Sequence, residues 1–312
     1  MRGMRTCLRH LKKNRVLLLM VLPGAVWHLL FRYLPMFGVV IAFKQFRIDR
    51  RGLLASIIHS EWVGFKNFEF LFRTRDAWVI TRNTLGYNFL WIFLGLFITV
   101  SFAIMLTELN NKRFAKLYQT GMFFPYFLSW IVAGYFVYTL LSVDRGVFNM
   151  VIKYFGGEGI DWYQTPKYWP VILTFMNIWK GTGYGCVIYL AALCGIDRTY
   201  YEAAMLDGAG KWQQIKHITL PMLTPLMITL TILAIGRIFY ADFGLFYSIP
   251  RNAGILFPVT NVIDTYVYRG LRSTGNVEMT TAAGLYQSFV GFILIIITNK
   301  IVKKIDKEHA LF

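Results

Sequence analysis

The chain has 312 residues, of which 56% are hydrophobic, 17% aromatic and only 16% charged. This composition lies on the apolar side of an ordinary soluble domain and indicates an all-α integral membrane protein. The formal net charge of +17 would suggest nucleic acid in a soluble protein, but basic residues of membrane proteins collect in cytoplasmic loops, so no nucleic-acid partner is expected.

Six apolar runs of about 20 residues, each with few Asp, Glu, Lys or Arg, predict six transmembrane helices. They lie near residues 16–43, 83–106, 119–141, 168–193, 222–246 and 281–301. We predict one membrane domain over residues 16–305, flanked by a basic segment at 1–15 and a tail at 306–312. Because the number of spans is even, both termini lie on the same side of the membrane.

Basic residues at both ends predict that this side is the cytoplasm. Residues 1–15 hold six Lys or Arg and no acid, and the segment NKIVKKIDKEHALF after the last span is also basic. The loop at 44–82, which this topology places outside, is basic too and weakens the orientation argument without reversing it. A cleaved signal peptide is the alternative for the first run, but that run lacks an evident small-x-small cleavage site and its apolar character continues too far.

Two further stretches have a structural interpretation. WVGFKNFEFLF at 62–72 mixes aromatic and charged residues, which predicts an interfacial helix on the outer surface. GTGYG at 181–185 lies within the fourth run, where small residues four apart usually let two helices approach closely.

The sequence offers few residues for chemistry of its own. Its three cysteines are Cys7, Cys186 and Cys194. They show no CxxC spacing, and the five histidines are scattered without an HExxH, so neither disulfides nor a metal site are expected. GAGK at 208–211 fails as a phosphate loop, because Met205 stands where the first Gly is needed and Trp212 where a hydroxyl is needed. Since no nucleophile with its base can be assembled, an enzyme is not expected.

A polar stretch, TYYEAAMLDGAGKWQQIKHITLP at 199–221, interrupts the apolar sequence on the predicted cytoplasmic side. Thr199 and Glu202 have the spacing of a capping box, which predicts a helix start, and Gly208 is suited to end that helix. A second short helix is predicted from Lys211 towards Ile218, before the fifth span. On the residues alone, this compact hairpin could be a docking surface or a plain connection, and Glu202 a cap or a contact.

The spacing EAA, three residues, Gly, nine residues, I-x-L-P resembles the signature of the inner-membrane permeases of ABC importers. The matching residues are Glu202, Ala203, Ala204, Gly208, Ile218, Leu220 and Pro221. Almost the whole chain is similar to the maltose-type branch, whose members carry oligosaccharides or polysaccharide fragments. The stretches that carry this likeness are YLPMFGVVIAFK, WVGFKNFEFLF, RNTLGYNF, FFPYFLSWIVAG, ITLPMLTPLMITLTILAIG and VIDTYVYRGL.

The resemblance implies a type I importer fold in a bacterial cytoplasmic membrane. It implies that the loop at 197–221, with Asp207 and Trp212 beside the signature residues, seats a coupling helix in a cytoplasmic ATPase subunit. The expected partners are a second homologous permease, two ATPase subunits that hold ATP and Mg²⁺, and an external solute-binding protein. This chain is expected to bind no cofactor itself.

Polar residues inside a membrane are costly and indicate a substrate pathway or helix-to-helix bonds. The candidates are Asn177, Trp179, Lys180, Tyr184, Arg237 and Tyr240. A pair between Arg237 and Asp242 is an open alternative, and an acidic saccharide would suit Lys180 and Arg237 if both faced a cavity. Two other functions stay open: a permease of this type for a non-sugar solute such as a peptide or phosphate, and a membrane-embedded enzyme acting on lipid-linked sugars.

Overall fold

The structure is a computed structural model that describes residues 14–305, apart from the side chains at 75, 274 and 305. Most of the predicted segment 1–15 and the whole tail 306–312 therefore lie outside the described residues, as does Cys7. The chain divides into two compact units. One holds residues up to Phe70 together with Gly270–Leu285, and the other holds Leu71–Arg269 together with the residues from Tyr286 onward.

The first unit begins with a continuous helical stretch and continues into a small hairpin. Its elements are α1 (Arg15–His28), a π turn (Leu29–Tyr33), a 3-10 helix (Leu34–Phe43), β1 (Lys44–Gln45), α2 (Leu53–His59), β2 (Glu61–Trp62) and a 3-10 turn (Lys66–Phe68). The strands are antiparallel, with Lys44 opposite Trp62. The interfacial helix predicted at 62–72 is wrong. That stretch starts in β2 and turns at Gly64, whose positive φ of 61° breaks a helix.

The second unit is a helical assembly. Its elements are α3 (Phe70–Arg73), α4 (Arg75–Thr107), α5 (Lys112–Phe123), a 3-10 turn (Phe124–Phe127), α6 (Trp130–Leu140), α7 (Val147–Tyr154), a 3-10 turn (Pro166–Tyr168), α8 (Trp169–Cys194), α9 (Arg198–Leu206), α10 (Lys211–Gln214), a π turn (Ile215–Thr219), α11 (Leu220–Gly236), α12 (Phe243–Ser248), a 3-10 turn (Gly254–Leu256), α13 (Phe257–Thr260), α14 (Ile263–Thr274) and α15 (Val277–Ile305). Helices α14 and α15 also run through the first unit.

Within residues 14–305, four helices are long and apolar enough to cross a bilayer. They are Arg15–Phe43, Asp76–Thr107, Lys211–Gly236 and Val277–Lys304. A fifth span is added if Lys112–Phe127 and Trp130–Leu140, which meet at an angle of 100°, count as one. The prediction of six spans is therefore not confirmed. Helix α8 has 26 residues but is not among these spans, and it carries Asn177 and Lys180 in its middle.

Helix α8 lies along α4 and forms the core of the second unit. Trp169 and Leu173 are fully buried near its start, and Tyr189 is buried near its end. A side chain at Gly183 would overlap the Met122 carbonyl, and one at Gly185 would press on Thr99. The prediction of close packing at 181–185 is confirmed for these two glycines, which are two residues apart and face different helices, α5 and α4.

Candidate functional site

The first half of the predicted coupling loop is the helix α9. Asp197 caps it, since the Asp197 carboxylate accepts a hydrogen bond from the Thr199 backbone N–H at 3.0 Å. This bond holds the pKa of Asp197 below its usual range. The predicted capping box of Thr199 and Glu202 is therefore wrong, because the helix starts at Arg198, two residues earlier than a Thr199 cap requires. Glu202 and Ala203 lie exposed on α9.

Helix α9 ends in a Schellman motif centred on Gly208. The Ala209 N–H donates to the Ala204 carbonyl at 2.8 Å, and the Gly208 N–H donates to the Met205 carbonyl at 3.1 Å. Gly208 has a φ of 79°, which a residue with a Cβ adopts only at a cost. The prediction that Gly208 ends the helix is confirmed.

The sequence predicted a separate short helix in the second half of the loop, and this prediction is wrong. From Lys211 the chain runs as one continuous 26-residue helix to Gly236. A π turn at Ile215–Thr219 comes just before Pro221, which cannot donate a hydrogen bond and whose ring crowds the preceding turn. The wider π turn lets the helix continue past this residue. It also carries Ile218, and Leu220 and Pro221 begin α11.

Polar contacts fold the two halves of the loop onto each other. The Gln214 amide, which is buried, donates to the Ala209 carbonyl at 3.1 Å. The hydroxyl groups of Tyr201 and Thr219 lie 3.0 Å apart. The Lys211 ammonium lies 2.7 Å from the carboxylate of Glu108, the residue that ends α4. The loop is thus a compact body attached to the ends of two long helices.

The loop exposes apolar side chains on its outer surface. Leu206 is 90% exposed, Trp212 is 73% exposed, and Tyr200 and Met205 are about half exposed. Beside them is a pocket of about 330 Å³, whose lining includes Ala204, Asp207 and Gly208. Apolar groups grouped around a hollow are typical of a protein-binding surface. This favours docking over a plain connection.

A cavity of about 580 Å³ opens between α4, α8 and α11. Its polar and aromatic lining consists of Asn88, Trp91, Thr99, Asn177, Tyr189, Thr231, Arg237, Tyr240 and Asp242. Three of the predicted pathway residues, Asn177, Arg237 and Tyr240, therefore lie together. In residues 14–305, no group of three His, Cys, Asp or Glu side chains is placed to hold a metal ion.

The wall at Arg237–Asp242 is non-helical, so the predicted fifth span to residue 246 is wrong and ends at Gly236. Distant side chains bind the backbone groups that this break leaves free. The Asn88 amide donates to the carbonyls of Ile238 at 2.8 Å and Tyr240 at 2.9 Å. The Gln287 amide donates to the Phe239 carbonyl at 2.7 Å. Irregular backbone is tolerated at membrane depth only when it is satisfied in this way or lines a cavity.

The Asp264 carboxylate completes these bonds. It accepts from the Ala241 N–H at 2.8 Å and from the Gln287 amide at 3.2 Å. The broken segment is therefore held from α4, α14 and α15, which fixes Arg237 and Tyr240 at the cavity wall.

The other three predicted pathway residues do not line the cavity. The Lys180 ammonium donates to the carbonyls of Tyr126 at 2.8 Å and Leu128 at 2.5 Å, at the bend before α6. Tyr184 stacks on Tyr126 with ring centroids 4.8 Å apart, and Trp179 packs against the core. Lys180 thus stabilises a bend in the backbone. Of the two basic residues suggested for an acidic solute, only Arg237 lines the cavity.

The alternative pairing of Arg237 with Asp242 is not what the structure shows. The two oxygens of Asp242 accept from the Trp130 indole N–H at 2.7 Å and from the Leu245 N–H at 3.2 Å. Asp242 is therefore a cap for α12 and a partner of Trp130.

Sequence reasoning missed the contribution of α4 to the cavity. Asn88 follows the same rule that singled out Asn177, since both are amides inside an apolar run. Trp91 lies one turn further on and donates to the Thr174 hydroxyl at 3.1 Å. The polarity of Asn88 was a usable signal, whereas nothing local marked Trp91 as a cavity residue.

A folded loop at one end of a long apolar helix and a cavity at its other end are features expected of a membrane permease. Residues 95–307 match the family described as the binding-protein-dependent transport system inner membrane component. The chain belongs to this family, so the predicted resemblance is confirmed.

Relatives with known roles cover most of the chain. It is 35% identical over 296 residues to the polygalacturonan/rhamnogalacturonan transport system permease protein YteP of Bacillus subtilis, covering 95% of this chain and 90% of that protein. It is 28% identical to the trehalose/maltose transport system permease protein MalF of Thermococcus litoralis, covering 69% and 70%.

Solved structures show the same fold. A chain of a bacterial ABC transporter involved in the import of the acidic polysaccharide alginate superposes with a TM-score of 0.86 and 29% identity, covering 96% of this chain and 99% of that one. The same transporter in complex with an alginate pentasaccharide-bound periplasmic protein gives a TM-score of 0.85. The expected type I importer permease fold is confirmed.

Proposed function

We propose that this chain is a transmembrane permease subunit of an ATP-driven importer for oligosaccharides or polysaccharide fragments. One observation carries the proposal: a single continuous helix, Lys211–Gly236, begins in the loop with the exposed apolar surface and ends at the wall of the cavity. A helix is stiff along its axis, so displacement at the loop is transmitted to the cavity. If a separate ATPase supplies the energy, movement at the loop must reach the solute pathway, and this helix provides the connection.

The working cycle follows from this connection. Two cytoplasmic ATPase subunits bind ATP and Mg²⁺, and their closure moves the loop at 197–221 of this chain and the matching loop of a second permease. The Glu108–Lys211 contact passes part of the movement to α4. Since α4 and α11 both line the cavity, the cavity opens alternately to the two sides of the bacterial cytoplasmic membrane. Both termini of this multi-pass subunit lie in the cytoplasm.

The chemistry of the cavity suits a saccharide. The Asn177 amide, the amide oxygen of Asn88 and the hydroxyl of Tyr240 provide hydrogen bonds to sugar hydroxyl groups, and the exposed ring of Tyr240 provides a flat apolar face for the ring carbons. Arg237 lies exposed in the same cavity and fits a carboxylate. YteP and the alginate transporter are both named for polysaccharide transport, which supports this solute class.

The proposal is tested by reconstitution. The permease pair, the ATPase subunits and the solute-binding protein are placed in liposomes, and uptake of labelled oligogalacturonate is measured with ATP and with a non-hydrolysable analogue. We expect uptake with ATP and none with the non-hydrolysable analogue. Equal uptake with both nucleotides would overturn the proposal. Calorimetry of the binding protein against saccharides, peptides and phosphate separates the sugar permease from a permease for another solute.

A further inference from the structure

The hairpin formed by β1, α2 and β2 directly continues a helix that is long and apolar enough to span a membrane. It follows Phe43, the last residue of the first span-length helix, without any linker. The Phe43 ring stacks on Trp62 with centroids 5.7 Å apart and meets the edge of Phe65 at 5.5 Å. An aromatic cluster at the end of a span is typical of the boundary between lipid and water.

Helix α2 has its polar face inside the hairpin and its apolar face outside. The buried Ser56 hydroxyl accepts from the Asp49 N–H at 2.8 Å, and the buried Ser60 hydroxyl accepts from the Arg47 N–H at 3.0 Å. On the outer face, Leu54 is 76% exposed and Ile58 is 70% exposed, with Leu53 beside them. This arrangement is the reverse of a water-facing helix and needs a covering environment.

Basic residues of the β1–α2 turn stand next to this apolar face. Arg47, Arg50 and Arg51 are exposed, and they outnumber the single acid of the turn, Asp49. Asp49 lies within 3.8 Å of Arg51 and 3.3 Å of His59.

Lys44 does not belong to this exposed group, because its ammonium donates to the Ile57 carbonyl at 2.7 Å at the end of α2. Three exposed arginines therefore lie in the turn that leads into the apolar helix α2.

We propose that this hairpin is an interfacial anchor that binds anionic phospholipid. Leu53, Leu54 and Ile58 enter the upper acyl region of the leaflet in which the first span ends, and the arginines contact the lipid phosphates. Apolar area and positive charge on one surface are the two contributions that hold a helix in the plane of a charged membrane. Arginine matches phosphate geometry well and keeps its charge at every physiological pH.

Spin labels on the intact transporter in lipid nanodiscs test the proposal. Single labels are attached to Leu54→Cys or Ile58→Cys after replacement of the native cysteines, with Glu158→Cys in an exposed loop as the water-accessible control. Collision rates with oxygen and with a nickel chelate report depth. We expect both α2 labels to favour oxygen in phosphatidylglycerol-containing nanodiscs, and the Glu158 label to favour the chelate in every lipid.

Neutralising the arginines separates the lipid from other occupants. Replacing Arg47, Arg50 and Arg51 by Gln is expected to lower the oxygen preference in phosphatidylglycerol but not in phosphatidylcholine, since each charge contributes about fivefold to binding at an anionic surface. Arg145→Gln, at an exposed position of another loop, is the matched control. Labels that meet the nickel chelate freely in both lipids would overturn the proposal. Protection that appears only when the solute-binding protein is added would assign the face to that protein instead.

Discussion

The indole N–H of Trp130 donates to the carboxylate of Asp242 at 2.7 Å. Trp130 is the first residue of α6, just after the bend of 100°, and Asp242 is the cap of α12 at the end of the broken segment. This bond joins two interruptions of the helical backbone that lie 112 residues apart in the sequence. The cavity wall is thereby tied to the bend that Lys180 stabilises.

We expect Asp242→Ala to destabilise the chain by about 1–2 kcal/mol, because it removes a helix cap and the partner of the indole. Trp130→Phe removes only the N–H and keeps most of the ring. Thermal unfolding in detergent of the two single variants and the double variant measures the coupling. If the two effects added within about 0.5 kcal/mol, the bond would contribute nothing of its own.

Asn88→Asp is expected to lower stability and abolish transport. The carboxylate has the same size but cannot donate to the Ile238 and Tyr240 carbonyls, and an unsatisfied buried group costs about 1–3 kcal/mol. Thr99→Val is the control, since the Thr99 hydroxyl lines the same cavity but bonds only to its own helix. Melting temperature and uptake are measured for both. A similar loss in both variants would mean that the cavity lining matters and the bonds to the broken segment do not.

Gly183→Ala is expected to prevent correct packing of α8 on α5, because the added methyl group would overlap the Met122 backbone, which cannot move aside as a flexible side chain can. Gly181→Ala, two residues away on the same helix, meets open space and should be neutral or slightly stabilising. The yield of monodisperse protein after detergent extraction distinguishes them. Equal yields would contradict the close approach of these helices.

Gly208→Val is expected to uncouple ATP hydrolysis from uptake, because a β-branched residue is strained at a φ of 79° by about 1–2 kcal/mol and the turn would rearrange. Gly208→Asn is the matched control, since Asn tolerates this conformation and the position has room for a side chain. Stimulation of ATPase activity by the loaded solute-binding protein is the readout. Loss in both variants would place the effect on the docking surface itself, and loss in neither would remove the turn from the mechanism.

Local patterns predicted the parts of this molecule that depend on local causes. Gly208 ends a helix because of its own backbone freedom, and the spacing from Glu202 to Pro221 lies within one short loop. Hydrophobic runs likewise overlap the four helices that are long and apolar enough to span a membrane, since apolar length is a property of a segment. Where each helix breaks or bends depends on residues distant in the sequence, so it could not be predicted from the apolar run itself.

Two errors show this limit. The apolar character of 222–246 continues past Gly236, but the backbone breaks there because Asn88 and Gln287, from distant parts of the chain, bind the released carbonyls. Lys180 was predicted to line the substrate pathway, because burying a charge in an apolar segment costs free energy, but it does not line the cavity. Its cost is offset by carbonyl groups exposed at the bend after Phe127, and no local signal separates that arrangement from a cavity-facing side chain.

The helix from Lys211 to Gly236 connects the loop at 197–221 to the wall of the cavity in one continuous element. At about 1.5 Å per residue its 26 residues measure about 39 Å, so in the proposed mechanism a tilt of about 10° about the loop end displaces the cavity end by about 7 Å, more than the width of a sugar ring. The π turn at 215–219 lies near the loop end of this helix, where bending of the helix would absorb part of the displacement. The stiffness of that turn, and of the helix at the interior Pro225, therefore sets how much of a movement at the loop reaches the cavity.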